Sequence, residues 1–190
     1  MSAQFSVSPD ETRIAYDITG NGSALVLLHG AGKTRRDWHK QGYVARLKQD
    51  FAVITVDLRG TGESDCPPAS ADCAAEYAIE KICADLYAVA EACQVQNFAV
   101  WGYSLGGMVA RYLGAWSDRV TAIAMVGAPF GPAVDDEFDR YINEMTNTWK
   151  PVVQSRRGGR AQAQANSQRA NACSVDLLSG HARLAQRPAW

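Results

Sequence analysis

The sequence predicts an α/β protein built on a mostly parallel sheet, and three observations carry that prediction. Four short runs are apolar on both faces: ALVLL (24–28), FAVITV (51–56), NFAVW (97–101) and VTAIAMV (120–126). They lie tens of residues apart, as strands buried on both faces of a parallel sheet do. Helical patterns fall between them, and two alternating runs precede them.

In chain order, Gln4–Ser8 and Arg13–Thr19 alternate polar and apolar residues around Pro9-Asp10-Glu11, which predicts an antiparallel hairpin. The turn Gly20-Asn21-Gly22 leads into the first buried run, which ends at His29-Gly30. Residues 38–48 form a plausible helix before the second run, which ends at Asp57. Cys66 and Cys73 fall in a Pro/Ala loop. Ile79, Ile82, Cys83, Leu86, Ala90 and Cys93 recur at helical spacing, so 77–94 is an amphipathic helix. The third run ends at Gly102, and residues 105–116 form a second helix before the fourth run, which ends at Gly127. Beyond Pro129 the pattern changes. Residues 135–149 carry Phe138, Tyr141, Ile142 and Met145 on one helical face, whereas 154–172 contain no large apolar residue. A weak last strand is expected at 173–178.

Composition narrows the function classes. The chain has 190 residues and no apolar run of membrane-spanning length, so it is expected to be one domain with no membrane partner. Nineteen Lys and Arg against twenty Asp and Glu leave a net charge of −1, which argues against nucleic acid as a partner. That balance conceals a basic tail: 151–190 hold six Arg and one Asp. No secretory signal is visible at the N-terminus. Five cysteines without a CxxC pair read as buried or incidental thiols, which points to a reducing, cytoplasmic location. Neither a metal nor an organic cofactor is implied.

The chemistry gathers at the strand ends. Gly102-Tyr103-Ser104-Leu105-Gly106 is a G-x-S-x-G element, entered from a buried strand and left through a helix. A strand-to-helix turn this tight holds its Ser in a strained conformation, and a Cβ at 102 or 106 would collide with neighbouring backbone. Ser104 is therefore a candidate nucleophile at the C-terminal edge of the sheet. His29-Gly30-Ala31-Gly32 is a loop of small residues directly after a strand, so the Ala31 amide can approach a developing oxyanion with the Leu105 amide as its partner. The local string GAGKT is not a phosphate loop, because the Gly that such a loop needs five positions before Gly32 is Leu27. His29 and Asp57, the latter in DLRGTGES, read as structural residues of their turns.

HGAGK, DLRGTGES and GYSLGG, in this order and spacing, resemble the α/β-hydrolase superfamily, nearest to its esterase, lactonase and cofactor-free haloperoxidase-like members. The resemblance covers roughly residues 10–130. It implies a mostly parallel α/β-hydrolase sheet with an N-terminal antiparallel hairpin, Ser104 as nucleophile, and Ala31 and Leu105 as the oxyanion hole. The implied substrate is a small acyl ester or lactone. Members with an Asp nucleophile, such as epoxide hydrolases, fit less well because the elbow holds Ser. Family members take the base from a Gly-His after the last strand with a Pro about seven residues on, which points to His181 beside Gly180 and before Pro188. Some carry the acid just after the strand at 120–126, which makes Asp135 or Asp136 the candidate; Asp176 is too close to His181.

The expected organisation is a core over 1–130, the start of a cap over 131–153, and an atypical tail over 154–190. Part of the family's C-terminal strands and helices is missing. Two readings of the tail stay open: a natural short hydrolase with an unusual acid, or a truncated or frame-shifted chain. Two function classes follow, an active serine hydrolase and a catalytically impaired scaffold that binds a ligand or partner. The missing strands expose a sheet edge, which predicts self-association.

Overall fold

The computed structural model describes residues 3–67 and 73–128. Six strands form one sheet in the order β1-β2-β4-β3-β5-β6. These are β1 (Gln4–Val7), β2 (Arg13–Thr19), β3 (Ser23–Leu28), β4 (Phe51–Val56), β5 (Phe98–Tyr103) and β6 (Val120–Val126). The hairpin is antiparallel and joins β4 antiparallel, whereas β3/β4, β3/β5 and β5/β6 are parallel. The mostly parallel fold class with its opening hairpin is thus the one the sequence predicts. The calls on the 131–153 and 154–190 segments, including the strand at 173–178, lie outside the described residues.

The order has a functional consequence. The chain steps from β3 to β4 on one side, then returns to place β5 on the other side of β3. Where crossovers leave a strand in opposite directions, a crevice opens at the carboxyl ends of the two central strands. Here those strands are β3 and β5.

Each face has its own core. Val26, Leu28, Ile54, Val56, Phe98 and Val100 pack against α4 (Ile79–Ala92) and α5 (Leu105–Trp116). Leu25, Leu27 and Val53 point the other way, against Trp38 of α1 (Arg35–Lys40) and Val44 of α2 (Tyr43–Leu47). Alternate residues of β3 thus serve opposite cores, which is why the strand is apolar throughout. The single helix expected at 38–48 is two, because Gly42 takes a left-handed φ of +80° that ends α1 and starts α2. A short helix, α3 (Cys73–Glu76), also stands where a loop was expected.

Two buried arginines tie the loops to the sheet. Arg59 donates to both carboxylate oxygens of Asp85 at 2.7 Å, to Asp10 at 2.9 Å, and to the carbonyls of Glu76 and Lys81. This joins the hairpin turn, the β4 loop and α4. Arg35 bonds Asp17 of β2 at 2.9 Å, Asp57 and Glu63, and its amide donates to Asp57 at 2.6 Å. Asp57 is fully buried and accepts the Glu63 amide at 2.9 Å, which is the structural role expected of it. The described cysteines 66, 83 and 93 are free thiols, and burial pushes Cys83 up to about 12 and Cys93 up to about 11. Protonated thiols of this kind are unreactive. No described helix is long and apolar enough to cross a membrane.

Removing Arg59 leaves the buried Asp85 carboxylate without its cation, so Arg59→Met should cost about 3–5 kcal/mol in denaturant unfolding. Burial works against the ionised form of Asp10, but hydrogen bonds from Arg59 and Thr12 outweigh it and hold its pKa at about 2. A depressed folded pKa contributes stability above the unfolded value of 3.8 that is lost as pH falls toward 2. The stability gap between the parent and Asp10→Asn, read from urea midpoints, should therefore be flat at neutral pH and close across that acid window.

Candidate active site

β5 runs straight into α5 through one residue. Ser104 sits between them at φ +52° and ψ −116°, a conformation that L residues adopt only under local constraint. The constraint is visible in its hydrogen bonds. The Ser104 amide donates to the Val126 carbonyl at 2.8 Å, and its carbonyl accepts from the amides of Gly107 at 2.9 Å and Met108 at 3.2 Å. Those bonds occupy the third and fourth amides of the helix. The first two, of Leu105 and Gly106, meet no acceptor among the described residues. They carry the positive end of the α5 dipole.

The glycines allow the close approach. A Cβ on Gly102 would stand 2.5 Å from the Gly107 nitrogen, and one on Gly106 would stand 2.6 Å from the Leu28 carbonyl carbon and 2.8 Å from the His29 oxygen. All of these obstacles are backbone, so nothing can swing aside. The first turn of α5 is therefore pressed onto the end of β3, whose Leu28 is in register with Gly102.

The loop after β3 lies beside Ser104. A Cβ on Gly30 would meet the Ser104 Cβ at 3.2 Å and the Tyr103 ring at 3.0 Å. The Lys33 amide bonds the Gly30 carbonyl at 3.2 Å and closes a turn with Gly32 at φ +71°. Ala31 is exposed on that turn, and its amide meets no acceptor among the described residues. The three predicted residues Ser104, Ala31 and Leu105 thus gather at the crevice between β3 and β5.

His29 is buried in the wall beneath them. The Leu58 amide donates to its Nε2 at 3.1 Å, so the ring proton is on Nδ1, which bonds the Gly30 carbonyl at 2.9 Å. Burial pushes its pKa down and keeps it neutral. With both nitrogens engaged, His29 is structural, as expected. His39 lies 3.4 Å from the Thr55 hydroxyl and 3.6 Å from Asp17. Neither described histidine hydrogen-bonds Ser104. His181, Asp135 and Asp136 lie outside the described residues.

One residue of the site escaped the sequence reading. Tyr103, about half exposed, has one ring edge facing Gly30 and the other facing Gly127 at the end of β6. It is the large side chain beside Ser104. The signal was present in the motif as a bulky residue flanked by glycine and serine.

The profile of the family described as "alpha/beta hydrolase fold" matches residues 23–173. The chain belongs to that family. A Synechocystis sp. protein, named as a candidate non-heme chloroperoxidase, is 34% identical over 63% of this chain and 41% of its own length. The bifunctional epoxide hydrolase 2 of Sus scrofa is 29% identical over 64% of this chain and 21% of its own. The chain thus spans less than half of these curated relatives. Among solved structures, an esterase from Rhodococcus sp. superposes with a TM-score of 0.58 at 28% identity, covering 95% of this chain and 73% of that one.

The glycine contacts separate two kinds of substitution. Gly106→Ala should lose about 2–3 kcal/mol, because the added methyl meets rigid backbone. Gly42→Ala, at φ +80° but with open space around it, should lose about 1 kcal/mol. Thermal unfolding of the two variants side by side checks the ordering.

Proposed function

We propose that this chain is a serine hydrolase that cleaves small carboxylic esters or lactones through an acyl-enzyme on Ser104. The observation that carries this reading is the left-handed backbone of Ser104 at the mouth of α5, beside amides that have no acceptor of their own. Strain of this kind is retained where chemistry uses it.

Ser104 Oγ attacks the acyl carbon, and negative charge develops on the carbonyl oxygen. The amides of Leu105 and Ala31 take that charge, aided by the α5 dipole, in a site where each donor is worth on the order of 10²–10³ in rate. His181 takes the hydroxyl proton and returns it to the leaving alkoxide, with Asp135 or Asp136 orienting the ring. Water, activated by the same base, then frees the serine. The sequence needs no metal or cofactor.

The epoxide hydrolase relative prompts the alternative of epoxide opening. A serine alkoxide that opened an epoxide would leave an ether, which water does not cleave under mild conditions. An ester-forming acyl transfer returns the enzyme, and that chemistry favours acyl substrates at Ser104. The esterase relative supports the same class.

A fluorophosphonate probe should label Ser104 in the folded protein. Ser104→Ala should abolish both labelling and p-nitrophenyl acetate turnover while leaving unfolding within about 0.5 kcal/mol of the parent. His181→Ala should lower turnover by about 10²–10⁴. A well-folded parent that does not label would instead favour a ligand-binding scaffold without turnover. Perhydrolysis in acetate with hydrogen peroxide would show a peracid-forming variant of the same acyl chemistry.

A further inference from the structure

Tyr103 is a large side chain beside Ser104 to which the acyl chemistry gives no task. Its place follows from the strand. Trp101 and Tyr103 are two residues apart in β5, so both side chains stand on the sheet face that carries α1 and α2. Tyr103 lies one residue past the last rung of the β3/β5 register, where Leu28 pairs with Gly102.

Two glycines grip the ring. A Cβ on Gly30 would stand 3.0 Å from Cδ1 and 3.3 Å from Cε1, and one on Gly127 would stand 3.2 Å from Cε2 and 3.7 Å from Cδ2. The two edges of one ring thus meet the two segments that leave the sheet on either side of β5. The same two glycines face the nucleophile, at 3.2 Å from the Ser104 Cβ and 3.9 Å from the Ser104 nitrogen. A planar ring has a fixed width, unlike an aliphatic chain that changes rotamer.

Gly30 is the link to the oxyanion. Its carbonyl and the Ala31 amide belong to one peptide unit, which is planar and trans, so the amide points away from the carbonyl. His29 Nδ1 at 2.9 Å and the Lys33 amide at 3.2 Å hold that carbonyl, which sets the direction of the Ala31 N–H. Direction does not fix distance, because the β3/β5 register ends at Leu28 and Gly102. On one face of the sheet α5 limits the loop, where Gly106 lies against the His29 carbonyl. On the opposite face the limit is the Tyr103 ring.

We propose that Tyr103 is a positioning residue whose ring, wedged between Gly30 and Gly127, sets the distance of the Ala31 amide from the Ser104 hydroxyl. This role rests on Ser104 being the nucleophile. Its effect belongs to the transition state. The amide meets negative charge only once the hydroxyl has attacked, so a displaced loop slows acyl transfer and leaves ester binding as it was. A displacement of about 1 Å is enough to cost about 10²-fold. Ring carbons make the contacts, so the phenol oxygen is not required.

The test compares Tyr103→Phe, Tyr103→Leu and Tyr103→Ala in the full-length chain. Fluorophosphonate labelling at Ser104 first establishes the nucleophile in the parent. Tyr103→Ala should then lower kcat for p-nitrophenyl acetate by about 10–10²-fold, with KM within about twofold of the parent. Phenylboronic acid, which forms a tetrahedral adduct with a serine hydroxyl, should lose affinity by a similar factor. Tyr103→Phe keeps the ring and should restore both. Tyr103→Leu fills part of the space without the width of the ring, so it should behave as alanine does and serves where the alanine variant does not fold. A raised KM at parent kcat would make Tyr103 a substrate wall, and a Phe variant as slow as Ala would move the role to the hydroxyl. Either result overturns the proposal, as does a folded Ala or Leu variant with parent kcat. A parent that neither labels nor turns over overturns the serine-hydrolase reading, and this role falls with it.

Discussion

A close approach of backbone to backbone is what the candidate site depends on. The first turn of α5 lies against the ends of β3 and β5 at a separation that leaves no room for a Cβ on Gly102 or Gly106. That approach forces the chain to reverse in one residue, and the residue is Ser104. It brings the α5 amides beside the loop after β3. The parallel register of Leu28 with Gly102 fixes the same distance from the sheet side. Geometry here comes from backbone, which side-chain motion cannot relax.

The rest of the fold holds those two strand ends in place. Arg35 anchors the start of α1 to Asp57 and Asp17, and with it the loop that contains Ala31. Arg59 does the same for the loop after β4, through Asp85 of α4. His29 links the two loops, accepting from Leu58 and bonding Gly30. These charged and polar groups are buried with their partners, so each would be costly if left alone. They convert two flexible connections into fixed walls of the crevice.

What was legible in the sequence was local. Strands β2 and β6 and helix α5 have the bounds their apolar patterns predict, because each pattern is complete within its own segment, although β6, expected to be buried on both faces, is mostly exposed. Ser104, Ala31 and Leu105 could be named because an elbow and a glycine-rich loop are short-range devices. The insertion of β4 between β2 and β3 was not legible, since strand order is set by pairing between distant segments. The partners of Arg59 were hidden for the same reason. Asp85 was nevertheless a signal, a carboxylate on the apolar stripe between Ile82, Cys83 and Leu86. Gly42 likewise marked the break between α1 and α2, but its left-handed φ depends on how the two short helices pack onto the sheet. His181 and Asp135 or Asp136, the proposed base and acid, lie outside the described residues, so the part of the site described is the proposed nucleophile and its amides.

The central claim is that the amides of Ala31 and Leu105 converge on one point beside the Ser104 hydroxyl. A crystal structure of the protein after reaction with a p-nitrophenyl phosphonate tests it most directly, because the phosphonyl oxygen stands where an oxyanion would. The account predicts phosphorus bonded to Ser104 Oγ and that oxygen within about 2.7–3.1 Å of both amide nitrogens. Phosphorus on another residue, or an oxygen turned to solvent away from either amide, would contradict it.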